Sequence, residues 1–214
     1  MIKIEHTQVF GWDAAVRGMR NSYNSWDRSD SYWTHIEDPE TMVTAPFQFF
    51  LGDTDLDLMK SLIGRGASHR KFLRMIHVQT DITAPLYWWK EFDTYKIGTT
   101  VNSCSTMHTI HQKSFEMDDF STEHLSEVNR GEMELVVGAL NIARAEFLAS
   151  KTKDNWWQMI QLLPTSYNQK RTVDLNYEVL FAIYYDRADH KLDEWKTFRD
   201  WTEQLPYTRV FRMC

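Results

Sequence analysis

Residues 95–108, YKIGTTVNSCSTMH, gather a lysine, an asparagine, a cysteine, a histidine and a run of hydroxyl side chains into one short stretch. Three kinds of chemistry could use them. Cys104 precedes His108 by four residues, so a helical turn would set an imidazole base beside a thiol. A nucleophilic cysteine needs such a base and a depressed pKa; a structural thiol is the simpler reading. His108 and His111 stand three apart and could share a helical face, but a metal needs a third ligand and only Cys104 is near. Two solvated or hydrogen-bonded histidines explain them as well. The third chemistry is phosphate binding, which combines cations with hydroxyl and backbone donors. Lys90, Lys96, Arg70, Lys71 and Arg74 cluster around the segments IHVQTDIT and LYWWKEFDTY that lead into the stretch, and Arg187 follows an apolar run ending YYD, with Asn176 three turns earlier. A solvated charged face accounts for the first group equally simply; for Arg187 the ligand-binding and structural readings balance.

No G-x-G-x-x-G, Walker loop, H-E-x-x-H or G-x-S-x-G occurs. GRGAS at Gly64–Ser68 is too short for a phosphate loop and reads as a helix end followed by a turn. Composition narrows the field further. The formal charge of −6 argues against a non-specific nucleic-acid binder, while leaving room for a locally positive pocket. No apolar run approaches the roughly 20 residues that span a bilayer, and MIKIEHTQVF lacks the layout of a secretory signal. The two cysteines, Cys104 and Cys214, have no disulfide or zinc spacing. These features point to a cytoplasmic, reduced protein, with residues 1–214 forming a single domain. Nine Trp, nine Tyr and twelve Phe supply either a large core or the walls of a cavity for a planar ligand, and composition alone favours the core.

The elements that must position these residues follow from periodicity. IKIEHTQVF and IHVQTDIT alternate and read as strands. DAAVRGMRNSYNSW reads as a helix with Asp13 near its start, and DTDLDLMKSLIGRG as another, with Leu56, Met59, Leu62 and Ile63 on one face and Gly64 or Gly66 ending it. RSDSYWTHIEDPETMVTAPF is polar and irregular, a surface excursion. Pro85 suits a first helical turn, with LYWWKEFDTY continuing the helix, so the stretch after it is expected to be a loop. SEVNRGEMELVVGALNIARAEFLASK, DNWWQMIQLLP, DLNYEVLFAIYYDR and HKLDEWKTFRDWTEQL read as helices, Asp174 capping the third with Leu175, Val179, Leu180 and Ile183 on its face. The expected class is α+β: a mixed small sheet built from early strands, packed with several long helices.

Several segments, in order, resemble the flavin-dependent thymidylate synthase family, whose signature is R-H-R-x-x-S-x-N-E-x-S-x-R-Y. In YKIGTTVNSCSTMH, Tyr95, Lys96 and Ile97 occupy the R-H-R positions, Thr100 the first Ser, Asn102 the Asn, Ser103 the Glu and Ser105 the second Ser. Met107 stands at the second-to-last Arg and His108 at the Tyr. AVRGMRNSY resembles the family's N-terminal helix and places Ser22 at a flavin-contact position, and TAPLYWWKEF sits at the passage into the signature. LPTSYNQKRTVDLNYEVLFAIYYDRADHKLDEW resembles the C-terminal block, with Asn176 twelve positions after Pro164 and Arg187 eleven later.

The resemblance implies a homotetramer with FAD at subunit interfaces, converting dUMP to dTMP with methylenetetrahydrofolate and NADPH and without a cysteine nucleophile. It implies Arg187 and Ser105 as catalytic, Lys96, Ser103, Ser105, His108 and Arg187 on the nucleotide, and Ser22, His69, Tyr95, Lys96, Asn102 and Asn176 on the cofactor. No metal, nucleic acid or membrane is implied. Most of the family's arginines are replaced, and Ile160 or Gln161 stands where one precedes the Leu-Pro pair. Losing one charged partner of a phosphate costs roughly 2–5 kcal/mol. Other cations (Lys90, Lys96, Arg70, Arg74) therefore substitute, or the ligand is another pyrimidine nucleotide, or the scaffold binds without catalysing.

Overall fold

The computed structural model describes residues 2–34 and 48–213. In chain order the elements are β1 (Lys3–Phe10), α1 (Trp12–Asn21), β2 (Tyr32–Thr34), β3 (Gln48–Phe50), α2 (Asp53–Gly64), β4 (His77–Pro85), α3 (Leu86–Phe92), β5 (Thr99–Ser103), α4 (Thr106–Thr109), α5 (Glu127–Ser150), α6 (Lys153–Leu162), β6 (Asn168–Asn176), α7 (Tyr177–Asp186) and α8 (Asp193–Gln204). The class is α+β, as expected. A four-stranded antiparallel sheet runs β1-β4-β6-β5, and β2 and β3 form a separate ribbon.

One face of that sheet is the core. Val78, Thr80, Ile82 and Ala84 of β4 lie opposite Leu175, Val173, Arg171 and Gln169 of β6. The same register puts Thr99, Val101 and Ser103 of β5 beside Leu175, Val173 and Arg171. Against this face stand Trp88, Trp89 and Phe92 of α3 and Trp195 and Phe198 of α8, all essentially inaccessible to water. The Trp88 and Trp195 rings lie 4.9 Å apart, and Trp89 meets Trp88 edge-on at 5.0 Å. The aromatic richness is thus largely core. Burying rings of this size drives folding. A second cluster, around Ile110, Phe120, Met133, Val137 and Leu140, joins α5 to the segment ahead of it. No described helix is long and apolar enough to cross a membrane.

Several sequence expectations are corrected here. Strands do not end early: β6 is a late central strand, and Asp174 lies within it rather than capping a helix. Its carboxylate accepts from His77 Nδ1 and Gln79 Nε2, both at 2.9 Å. Asn176 is the cap instead, its Oδ1 accepting from the Val179 N–H at 3.1 Å. Thr99–Ser103, expected as loop, is an edge strand, because β-branched Thr99, Thr100 and Val101 suit a pleat when a ladder partner is present. Tyr32–Thr34, expected as irregular, pairs with Gln48–Phe50; residues 35–47 of that excursion lie outside the described residues, as does Cys214. The helix after Pro85 is a single short one. α4 is one turn ending at Thr109, so His108 and His111 do not share a helix.

Candidate functional site

The chain leaves α3, turns through Thr94–Gly98 and enters β5, directly over the start of α7. Gly98 permits this turn. Its φ is +81°, and a Cβ there would lie 2.5 Å from Asn176 Nδ2, so only glycine lets the turn rest on the α7 cap.

Two adjoining cavities share Tyr95 and Lys96. One, of about 490 Å3, is bounded by Ile97 on the turn and by Glu178, Val179 and Ala182 on α7. The other, of about 200 Å3, is bounded by Asp93, Thr99 and Val101. Ile97 is 92% exposed, an apolar side chain held at the rim. Thr99 Oγ1 is buried without a hydrogen-bond partner among the described residues. Lys96 is exposed and carries no ion pair among the described residues.

Arg187 stands just past the last turn of α7. Its Nε donates to Tyr95 Oη at 2.9 Å and its Nη1 to Glu91 Oε2 at 3.0 Å. The guanidinium lies 4.8 Å from the Trp195 ring and 5.4 Å from that of Tyr95. Burial raises the Tyr95 phenol above its ordinary pKa, against the pull of Arg187. Arg70 sits nearby with its Nε shared between both Glu178 oxygens at 3.0 Å, stacked on Phe181. Arg171 reaches from β6 beneath α3, over the Trp89 ring at 4.2 Å, donating to Gln169 Oε1 and Asp93 Oδ1.

The fold places Tyr95 and Lys96 of the sequence-derived set on both cavities, with Arg187 bonded to Tyr95 and Asn176 against Gly98 beneath the turn. It does not bring the others there. Asn102 and Ser103 lie exposed further along β5. Ser105 caps α4, its Oγ accepting from the His108 N–H at 3.3 Å, and the His108 ring is exposed. Ser22, just after α1, and His69 are exposed and line neither cavity. Among the described residues no group of three His, Cys, Asp or Glu could hold a metal. Sequence reasoning missed Glu91, Asp93, Arg171, Thr99 and Trp195. The available signal for the acids was their position at the carbonyl end of an aromatic helix, where a carboxylate needs a cation nearby.

No protein-family model matches the sequence, and no curated protein does. Solved structures do match in fold. A crystal structure of thymidylate synthase X (ThyX) from Helicobacter pylori with FAD and dUMP superposes with a TM-score of 0.69 at 17% identity, covering 99% of this chain and 100% of that one. A second structure of the Helicobacter pylori flavin-dependent enzyme, also complexed with FAD and dUMP, gives 0.67 at 19% identity over 100% and 98%. The chain has the fold of these proteins along its whole length.

Proposed function

We propose that this chain, which carries the fold of the flavin-dependent thymidylate synthases, is a divergent enzyme of that family acting on a pyrimidine nucleotide. The reaction we assign is reductive methylation of dUMP to dTMP, with methylenetetrahydrofolate as carbon donor and NADPH as reductant. The observation that carries the reading is the pair of cavities lined by Tyr95 and Lys96, with Arg187 bonded to Tyr95 and Asn176 packed against Gly98, in a fold whose solved examples hold FAD and dUMP.

The residues present fit a flavin. Tyr95, Ile97, Val179 and Ala182 give the larger cavity apolar walls suited to a flat ring, and Lys96 supplies a cation at its edge. Glu178 would repel an anion there, but Arg70 neutralises it. When bound, the flavin supplies the redox chemistry. The chain's own groups bind and orient: Tyr95 and Asn176 hold the cofactor side, while Arg187 and Lys96 hold the nucleotide phosphate. Arg187 also presses Tyr95 into place through its Nε.

Ser22, His69 and Asn102, together with Ser103, Ser105 and His108, line neither cavity, and in this reading they serve the site of a neighbouring subunit in a homotetramer. The outer face of α5 supports assembly. Val128, Leu135 and Ile142 recur every seven residues and are 75%, 69% and 64% exposed, a stripe that water does not favour.

A second reading, a nucleotide-binding protein without catalysis, is favoured by the Glu91 carboxylate that already occupies Arg187. The visible spectrum of the purified protein separates the two. Bound oxidised flavin that responds to dUMP, followed by dTMP formation, supports the synthase. Flavin that ignores dUMP points to another nucleotide, and a protein that takes up no FAD removes the flavoenzyme reading.

A further inference from the structure

Two arginines of this region are held in the same way. Arg187 is paired with Glu91 and stacked on Trp195; Arg171 is paired with Asp93 at 2.8 Å and stacked on Trp89. Both guanidiniums are nearly buried, 15% and 14% exposed as side chains, whereas their carboxylates are 41% and 48% exposed. Glu91 lies in the last turn of α3 and Asp93 just beyond it, where the helix's free carbonyls disfavour negative charge. Each carboxylate is thus retained by its arginine and has open water on its other side. The arginines are fixed: Arg171 is braced by Gln169 Oε1 at 2.9 Å, and Gln169 is anchored in turn to Cys104 O and Thr106 Oγ1.

Asp93 also lines the smaller cavity, with Lys96 and Thr99. We infer that Arg171 is an anion-binding residue of this site, and that Asp93 is a placeholder displaced by a ligand phosphate. Resting on the function proposed above, this supplies a cation that the signature lacks, from a strand outside that signature. The phosphate, on entering, takes the Arg171 fork bidentately and draws Lys96 as a point charge, while the Asp93 carboxylate turns out to solvent. The phosphate belongs to a nucleotide monophosphate or to the pyrophosphate of a dinucleotide cofactor.

The test is calorimetric titration of the full chain with inorganic phosphate, then with dUMP against deoxyuridine and FAD against riboflavin. Wild type, Asp93→Asn and Arg171→Lys are compared; Arg171→Lys keeps the positive charge but not the planar stack on Trp89, so circular dichroism and a thermal melt of each variant check that the fold is kept. Asp93→Asn should bind phosphate roughly tenfold more tightly, because the competing charge is gone, and Arg171→Lys should bind it roughly 10- to 100-fold more weakly than wild type. Loss of the dUMP-over-deoxyuridine preference in Arg171→Lys assigns the phosphate to the nucleotide; loss of the FAD-over-riboflavin preference assigns it to the dinucleotide. Phosphate binding that depends on Arg171 while neither dUMP nor FAD binds would keep the anion site and remove the proposed function. Asp93→Asn binding no tighter than wild type, or Arg171→Lys binding equally well, overturns the inference, as does absence of phosphate binding in both wild type and Asp93→Asn.

Discussion

Asn176 and Gly98 meet so closely that the side-chain amide of one occupies the space a Cβ of the other would need, 2.5 Å away. The same asparagine caps α7 through Val179. A single contact thus ties the turn bearing Tyr95 and Lys96 to the helix bearing Arg187. Gly98→Ala combines a positive φ with this clash and should cost about 1–3 kcal/mol, read as a lowered urea midpoint, with flavin affinity falling alongside. Asn176→Ala should cost about 1 kcal/mol, and Asn176→Asp, which keeps the cap, much less. Equal stability of Gly98→Ala and wild type would show that the turn does not rest on Asn176.

Arg187→Ala removes the ligand's expected partner and the restraint on Tyr95. KM for dUMP should rise roughly 10- to 100-fold, at a stability cost of about 1–2 kcal/mol. Steady-state kinetics and a thermal melt on the same preparation give both numbers. An unchanged KM takes Arg187 out of the site. Glu91→Gln, freeing the guanidinium, should move KM the other way.

A fully buried ion pair, Arg20 with Asp55, ties α1 to α2. Asp55 is wholly inaccessible; it accepts from Arg20 Nε, from the Ser29 and Ser31 hydroxyls and from two backbone N–H groups. Asp55→Ala or Arg20→Met alone strands the partner's charge and should cost about 3–5 kcal/mol. Replacing both with apolar residues should be far milder than the sum. Additive losses in equilibrium denaturation would show that the two charges do not depend on each other.

On the open face of the sheet, Asp81 is held at about 2 by hydrogen bonds from Thr172, Lys170 and His6. Because the folded pKa lies below the unfolded value, the contribution is complete above about pH 4 and fades as pH falls toward 2. Wild type should therefore lose more of its urea midpoint between pH 6 and pH 3 than Asp81→Asn does. Parallel losses in the two proteins would assign the acid sensitivity elsewhere.

Leu135→Glu, at the middle of the exposed α5 stripe, should lower the sedimentation coefficient without changing the far-ultraviolet circular dichroism. A wild-type protein that sediments as a monomer would remove the tetramer from the proposed function.

The helices are legible in the sequence because their apolar spacing is regular, as in Leu56, Met59, Leu62 and Ile63 of α2. β6 is not, because its outward residues are polar and its inward ones include Gln169 and Arg171. Both are satisfied by groups distant in sequence, Cys104 O and Asp93, so the alternation that betrays a strand is blurred. The site shows the same division. Arg187, Asn176, Tyr95 and Lys96 are found through resemblance, whereas Arg171 carries no local mark: whether an arginine is solvated or braced depends on which strand lies beside it.

The sheet order has a consequence for synthesis. β5 has no ladder partner until β6 emerges, although the two are separated by α4, α5 and α6. β1 and β4 can pair on the nascent chain, but Tyr95, Lys96 and Thr99 wait for the C-terminal third to leave the ribosome. Until then the β5 edge and the tryptophans of α3 stand uncovered. Ribosome-bound chains stalled before residue 168 should engage chaperones, and release should coincide with assembly of the ligand site itself.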